Sequence, residues 1–296
     1  MLHKDSKTNY TKANSIEALL DVGAQILQQN AISRARLEAE ILLGFVLGLQ
    51  RVELHIFSNN PVESFFVESY FRLLKRRANQ EPIEYLIEKV SFYGEELYIS
   101  YGALIPRPET EILVNKALEL IDQKDCKNIV EIGVGSGAIS VLLAHLNKSL
   151  TKKDSALTLH ASDISPEALF IAYVNKVNFK VDNLSLHHSS YLDFNIKMGL
   201  KFDLLISNPP YIKNGTLLPK SLAYEPQNAL FGGERGDEML HHIINLAYQN
   251  QIPYLLCEMG YDQRESIQTH LKEIPHRALE FYKDLAGLDR GFMVSF

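Results

Sequence analysis

The plainest chemical signal in this chain is Asn208-Pro209-Pro210-Tyr211, placed directly after the apolar run Phe202 to Ile206. Two prolines fix the local backbone into a rigid turn. One amide side chain sits at the start of that turn, where a buried strand is expected to end. The Asn208 oxygen and the Pro209 carbonyl can each accept one N–H of a planar NH2 group. A nitrogen held this way is presented for methylation. The bland alternative is a Pro-Pro turn that simply leaves a strand.

A second signal lies upstream. Glu131-Ile132-Gly133-Val134-Gly135-Ser136-Gly137 follows one predicted strand and opens a predicted helix. Glycines let the backbone turn tightly and let a ligand approach without Cβ clashes. The dinucleotide fingerprint is Gly-x-Gly-x-x-Gly, with room for a pyrophosphate. The spacing here is Gly-x-Gly-x-Gly, which suits a ligand without one. A tight strand-to-helix turn is the alternative reading. Asp163 ends the next strand, in Leu159-His160-Ala161-Ser162-Asp163. A carboxylate there can accept hydrogen bonds from both hydroxyls of an adenosyl ribose. It can also cap the helix that starts near Ser165-Pro166. The glycine loop, Asp163 and Asn208 all follow predicted strands. Ligands of open α/β sheets bind outside the carboxyl ends of the strands, so the three should converge at one edge.

The elements that must position them read as two kinds of chain. Ile16, Leu19, Leu20, Ala24 and Leu27 recur at helical spacing after Ser15, an expected N-cap. A second helix is expected after Ser33, with Leu37, Ile41, Phe45 and Leu49 on its apolar face. A third is expected from Asn60-Pro61, with Phe65, Phe66, Leu73 and Leu74 inward. Pro82 ends or kinks what precedes it. Lys75-Arg76-Arg77 reads as a solvated helix face. Through residue 85 there are ten Lys/Arg and ten Asp/Glu, so this segment is neutral. Val90 to Ser100 places aromatic and β-branched residues around a Gly turn, the pattern of a β-hairpin between two domains.

From Pro108 the texture changes. Apolar strands are expected at Asn128–Ile132, Leu157–Ala161, Leu184–Leu186, Phe202–Ile206 and Tyr254–Cys257. Helices are expected at Ala138–Leu146 and Pro166–Asn178. The alternation implies βαβ units and a mostly parallel sheet. Lys148 to Ser155 reads as a surface loop, and Gly291 to Phe296 as a terminal strand paired antiparallel at or near the sheet edge.

The totals fit a soluble globular protein of one or two domains: 296 residues, 46% hydrophobic and 22% charged. A net charge of −6 argues against tight non-specific nucleic-acid binding. Cys126 and Cys257 sit among apolar residues and are expected to be buried free thiols. The pairs His187-His188 and His241-His242 are adjacent rather than four apart on a helix, so no metal is expected. Met1 to Ser15 has no signal-peptide core, and the apolar run Ile41 to Leu49 is too short to span a bilayer. A cytoplasmic protein without a membrane partner is expected.

This combination resembles the S-adenosylmethionine-dependent methyltransferases with an Asn-Pro-Pro-Tyr motif. Among them it is most similar to the peptide chain release factor glutamine methyltransferases. The resemblance covers nearly the whole chain. It rests on Leu104 to Glu111, the Gly133 to Gly137 loop, Asp163 with Ala168, Leu169 and Asn175, and Asn208 to Ile212. Glu225-Pro226, Ala229-Leu230, Gly232-Gly233, Glu258 to Tyr261 with Gln263, and Asp284-Leu285 with Arg290 extend it.

The resemblance implies a Rossmann-like seven-stranded methyltransferase sheet with a small N-terminal helical domain and a β-hairpin linker. It implies docking helices over residues 1–85, a linker over 86–103 and a methyltransferase domain over 104–296. Gly133, Val134, Gly135, Ser136, Gly137, Asp163, Tyr191 and Asn208 would contact S-adenosylmethionine, leaving S-adenosylhomocysteine, with no metal. Tyr191 stands where relatives often have Trp, on the adenine side. Glu131 is a candidate for the methionine end, and a structural role at the strand is an equal alternative. Asn208 and Pro209 would be catalytic. Together with Pro210 and Tyr211 they would hold the glutamine of a Gly-Gly-Gln motif in a bacterial-type release factor. The enzyme would act as a monomer on a protein, without direct nucleic-acid binding. Glu88 stands where relatives often have Gly. A nucleic-acid amine methyltransferase is the first rival, since an exocyclic amine is also planar. A non-catalytic adaptor with a degenerate cofactor domain is the second.

Overall fold

The computed structural model describes residues 15–150 and 157–296, without the side chains of 148–150. The polar N-terminus read from Met1 onward lies outside these residues up to Asn14. Two compact units make up the chain. One runs to Glu88 and includes Pro219–Tyr224, and the other comprises Lys89–Leu218 and Glu225–Phe296.

The first unit is helical. Helix α1, Ile16–Gln29, is capped by Ser15, whose Oγ accepts from Ala18 N at 3.3 Å. It buries Ile16, Leu19, Leu20 and Leu27, as its spacing predicts. Helix α2, Ala35–Leu47, departs from expectation. Its buried side is Ala39, Leu42 and Leu43 together with Glu38 and Glu40, while Phe45 is 47% exposed. The acids turn inward because each meets guanidinium. Glu40 accepts from Arg36 at 3.2 Å and from Arg51 at 2.7 Å, and Glu38 from Arg77 at 2.5 Å. A reading that sends Glu to solvent therefore rotates the helix the wrong way. Arg51 opens an unforeseen short helix, α3, Arg51–Ile56.

Helix α4, Ser64–Ala78, starts three residues beyond Pro61, and α5, Ile83–Ile87, follows directly on Pro82. The basic cluster at the end of α4 is a solvated face only in part, with Lys75 exposed. Arg77 is half-buried against buried Glu38, and Arg76 pairs with Glu81. Losing Arg77 would strand the buried Glu38 charge, at up to about 3–5 kcal/mol. Tyr224 closes the unit by donating to the Asn79 carbonyl at 3.0 Å.

The second unit begins with the expected hairpin, strands β1 (Lys89–Phe92) and β2 (Glu95–Tyr98). Tyr93 and Gly94 both have positive φ, 55° and 76°, as a two-residue turn matched to strand twist requires. Helix α6 (Thr110–Lys124) precedes β3 (Asn128–Ile132), α7 (Ala138–Leu150), β4 (Thr158–Asp163), α8 (Pro166–Asn178) and β5 (Leu184–His188). Since α7 runs to Leu150, the first residues of the expected 148–155 loop are helical; residues 151–156 lie outside the described ones. Then come α9 (Asn195–Met198), β6 (Leu204–Ser207), β7 (Ile212–Lys213), β8 (Phe231–Gly233), α10 (Glu238–Gln249), β9 (Tyr254–Glu258), α11 (Arg264–Leu271), β10 (Ala278–Lys283) and β11 (Asp289–Ser295).

Seven strands form one sheet in the order β10-β11-β9-β6-β3-β4-β5. Only β11 runs against its neighbours. The expected antiparallel terminal strand is present, one place in from the edge, and β10 covers it. β3, β6 and β9 read as near-continuous apolar runs because helices cover both faces of a parallel sheet. Helices α10 and α11 bury Leu240, Ile243, Ile267 and Leu271 against Val130, Leu205, Leu255 and Phe292.

From β3 the chain winds outward through β4 to β5, and from β6 it winds the other way to β9. The reversal falls between the adjacent strands β3 and β6. That switch point is where an open α/β sheet takes its ligand. Asn175 of α8 fastens the hairpin beside it. It is fully buried, accepts from Tyr98 N at 2.8 Å, and donates to Tyr98 O at 2.8 Å and Ser136 O at 2.9 Å. Cys126 and Cys257 are buried and free of disulfide. Burial pushes the Cys126 thiol up to about 11 and holds the Cys257 thiol higher still.

Candidate active site

A cavity of about 280 Å³ opens at the carboxyl ends of β3, β4 and β6. Every residue of it belongs to the second unit. Gly133, Val134, Gly135 and Ser136 form one wall. Gly135 has φ of 53°, a left-handed conformation that costs a residue with Cβ, and its N–H donates to Asp163 Oδ2 at 2.9 Å. Asp163 Oδ1 accepts from Ser165 N at 2.9 Å. Ser165, not Asp163, caps α8, with its Oγ accepting from Ala168 N at 3.1 Å. Asp163 thus ties the glycine loop to the end of β4 and still lines the cavity with spare lone pairs. Gly137 is placed elsewhere. It lies against α8, where an added Cβ would come 2.9 Å from Val141 Cγ2 and 3.2 Å from Ala172 Cα, and it does not line the cavity.

Tyr191 lines the opposite side. Its φ is 45°, and Ser162 Oγ donates to its carbonyl at 2.6 Å, holding that backbone in place. Its ring stands edge-on to His242 at 4.3 Å.

Glu131 is 1% exposed and lines the floor. Its Oε2 accepts from Ser140 N at 3.0 Å and from the Ser140 hydroxyl. Burial outweighs these bonds and pushes the carboxyl up to about 8. The folded state therefore holds this proton across a range, from about 4.3 upward, where the unfolded chain releases it. Stability from this group is full below that range and is lost as pH rises toward 8. Glu131→Gln is expected to flatten the decline in unfolding free energy between pH 5 and 8 by ~1 kcal/mol per pH unit. Urea titrations of both proteins across that range measure it. Equal slopes would mean that Glu131 is already ionised in the fold.

Asn208 begins the turn after β6. Its Nδ2 donates to Thr110 Oγ1 at 3.1 Å, and Thr110 Oγ1 donates to Glu258 Oε2 at 2.7 Å. Asn208 and Pro210 line the cavity, while Pro209 is buried beneath them. Tyr211 does not line it. Its hydroxyl donates to Glu258 Oε1 at 3.1 Å, so the ring is held from behind the turn. Burial raises both the Tyr211 hydroxyl and the Glu258 carboxyl from their ordinary values.

Two further devices fix the turn. Gln263 Nε2 donates to the Tyr211 carbonyl at 3.1 Å and to the Gly236 carbonyl at 2.9 Å. Gly232 leaves room for the turn, since a Cβ there would come 2.3 Å from the Pro210 oxygen. Across the cavity mouth, buried Glu225 accepts from Ile105 N at 3.0 Å and from Arg107 at 2.5 Å. This clamps the Ile105 to Glu111 run to the segment carrying Pro226, Asn228 and Ala229, all of which line the cavity.

The structure thus gathers Gly133, Val134, Gly135, Ser136, Asp163, Tyr191, Asn208 and Pro210 around one space and sets Gly137, Pro209 and Tyr211 behind it. Thr110, Glu225, Glu258 and Gln263 were matched by resemblance without a role. The signal for Glu258 was available: an acid closing the apolar run Leu255-Leu256-Cys257 is buried by its neighbours. Among the described residues no His, Cys, Asp and Glu group is arranged to hold a metal, and no helix is long and apolar enough to cross a membrane.

The chain matches known methyltransferases over most of its length. The family model described as PrmC N-terminal domain matches residues 18–87, and that of the methyltransferase small domain matches residues 109–224. The release factor glutamine methyltransferase of Dictyoglomus turgidum is 39% identical over 233 residues, 78% of this chain and 79% of that protein. Its namesake from Salmonella typhimurium is 34% identical over 259 residues, 86% of this chain and 90% of that one. The one from Clostridium acetobutylicum is 32% identical over 260 residues, 86% and 88%. Among solved structures, the catalytic domain of hMettl16 in complex with MAT2A 3'UTR hairpin 1 aligns with a TM-score of 0.55 at 13% identity, covering 98% of this chain and 94% of that one. Human methyltransferase 10 domain containing protein aligns with a TM-score of 0.50 at 16% identity, covering 69% and 89%. At those identities the likeness is one of fold.

Proposed function

The chain belongs to the release factor glutamine methyltransferase family, and we propose that the cavity at the β3–β6 switch point binds S-adenosylmethionine beside the acceptor turn. The enzyme is an S-adenosylmethionine-dependent protein-glutamine methyltransferase. It methylates the side-chain nitrogen of the glutamine in the Gly-Gly-Gln motif of release factors and so modulates translation termination. The observation that supports our placement is the convergence of the glycine loop, Asp163 and Asn208 on one cavity.

The residues fit that cofactor. Asp163 faces the space where ribose hydroxyls can be taken, Tyr191 and Val134 offer apolar surface, and the Glu131 carboxyl on the floor can hydrogen-bond the methionine end. The bound cofactor supplies an electrophilic methyl on a sulfonium. The protein's own work lies on the acceptor. A carboxamide nitrogen is a poor nucleophile, because its lone pair is delocalised into the carbonyl. The Asn208 oxygen and the Pro209 carbonyl accept its two N–H groups, fix its direction and favour the more cationic nitrogen of the transition state. No strong base is required, since the proton becomes acidic as the nitrogen is alkylated.

We assign substrate docking to the helices of residues 1–85, joined through the 86–103 linker to the 104–296 domain. The exposed Phe45, Val52, Ile56, Phe57 and Phe65 support that role. The enzyme would work in the cytoplasm as a monomer, without metal and without direct nucleic-acid contact. One assay tests these readings: peptide mass spectrometry of a release factor incubated with S-adenosylmethionine and either the full chain or residues 86–296. One added methyl on the Gly-Gly-Gln glutamine is expected with the full chain. A truncated chain that folds and methylates whole factor equally well would remove the docking role. An unmodified glutamine would remove the reaction.

A further inference from the structure

The polar chain behind Asn208 has a direction. Thr110 and Glu258 are 3% and 1% exposed, and Thr110 lines the cavity beside Asn208. A hydroxyl carries one proton and two lone pairs, and an ionised carboxylate only accepts. With Glu258 ionised, one oxygen takes the Thr110 proton at 2.7 Å and the other takes the Tyr211 proton at 3.1 Å. The Thr110 oxygen is then an acceptor. At 3.1 Å it can meet only the NH2 end of Asn208. The Asn208 carbonyl oxygen is the end left over, and among the described residues it takes no hydrogen bond. A proton on Oε2 of Glu258 would reverse the chain. Glu258 would donate to Thr110, Thr110 would donate to the Asn208 oxygen, and the NH2 would face outward. An NH2 cannot accept the N–H of an acceptor amide.

We propose that Thr110 and Glu258 are positioning residues for the methyl transfer: ionised Glu258 sets the polarity of the Glu258–Thr110–Asn208 chain and so presents the Asn208 carbonyl oxygen to the acceptor. This rests on the acceptor role given to Asn208 above. Groups from every side bear on the charge of Glu258. Burial opposes it, Thr110 and Tyr211 support it by hydrogen bonds, Arg290 of β11 supports it through space, and Glu109 at the start of α6 opposes it. Tyr282 of β10 lies half-buried close by, with its hydroxyl on the Cys257 carbonyl at 3.1 Å. The carboxyl stays above its ordinary value. Turnover should therefore rise with pH through an acid limb that lies above the usual carboxylate range.

The test compares wild type with Thr110→Val, Thr110→Ser and Glu258→Gln. It uses kcat, KM for release factor, calorimetric S-adenosylmethionine binding and melting temperature. Thr110→Val and Glu258→Gln are expected to lower kcat about tenfold or more, as misorientation of a single group does. Thr110→Ser keeps the hydroxyl and should stay within about threefold, as should cofactor affinity and KM in all three. The acid limb should vanish in Glu258→Gln, an outcome that a merely structural role does not give. Wild-type kcat in Thr110→Val, or an unaltered acid limb in Glu258→Gln, overturns the inference. If either variant fails to fold, the other and the serine rescue still decide. A fully active Asn208→Ala would instead sink the acceptor role itself, so the two failures are distinguishable.

Discussion

Asn208→Ala is expected to methylate release factor ~10²–10³ times more slowly than wild type, the loss seen when one pre-oriented polar group is removed from a transition state. The alanine deletes the oxygen that accepts one acceptor N–H and leaves the Pro209 carbonyl to hold the amide alone. The nitrogen can then rotate, and little of its developing charge is met. The cost to the fold is small. Asn208 is half-buried at the cavity, so water can take its place on Thr110. The loss should fall on kcat, while S-adenosylmethionine affinity and melting temperature move little. Single-turnover kinetics at saturating cofactor separate these effects. A variant within about tenfold of wild type would show that the amide oxygen is not the acceptor's partner.

Asp163→Ala should act on the other reactant. It removes the carboxylate that faces the cavity and also the bonds that hold Gly135 N and Ser165 N at 2.9 Å each. Hydrogen bonds to a charged group contribute about 1.5–3 kcal/mol each. Two lost from the ribose, with a slackened glycine loop, should weaken S-adenosylmethionine binding ~10²-fold or more. Turnover at saturating cofactor should fall much less, since the acceptor turn is untouched. Isothermal calorimetry reads the affinity directly. An unchanged dissociation constant would put the ribose elsewhere and leave Asp163 as a brace for the glycine loop.

Local signals explain what was legible in the sequence. β3 and α8 fall on their expected bounds, Asn128–Ile132 and Pro166–Asn178. The first is an apolar run of the kind a covered parallel strand needs, and the second starts at a capped proline. Asp163 and Asn208 could be placed at one edge because every strand of a βαβ sheet delivers its trailing loop to the same side. What failed depended on partners far away in the chain. The buried face of α2 was misjudged because Glu38 is neutralised by Arg77, 39 residues on. Nothing local announces the bond of the Tyr211 hydroxyl to Glu258, 47 residues on. Thr110 reaches the same carboxylate across 148 residues. β10 was missed because, as an edge strand, it alternates half-buried and exposed residues and carries no apolar run. Gly137 looked like its neighbours Gly133 and Gly135, yet its close approach is to a helix rather than to the cavity.

The two thiols carry one more consequence. A site that activates a methyl group will alkylate whatever good nucleophile it meets, and thiolate is a far better one than a carboxamide. No Cys, Lys or His is among the residues that line the cavity. Cys126 and Cys257 are sealed in the interior with their protons held on. Even Glu131, the carboxyl on the floor, is biased toward its neutral and unreactive form. The enzyme can therefore favour a sluggish acceptor by keeping thiol, amine and imidazole out of the cavity lining. Its chemoselectivity, and its protection from self-inactivation, reside as much in the side chains kept out as in those brought together.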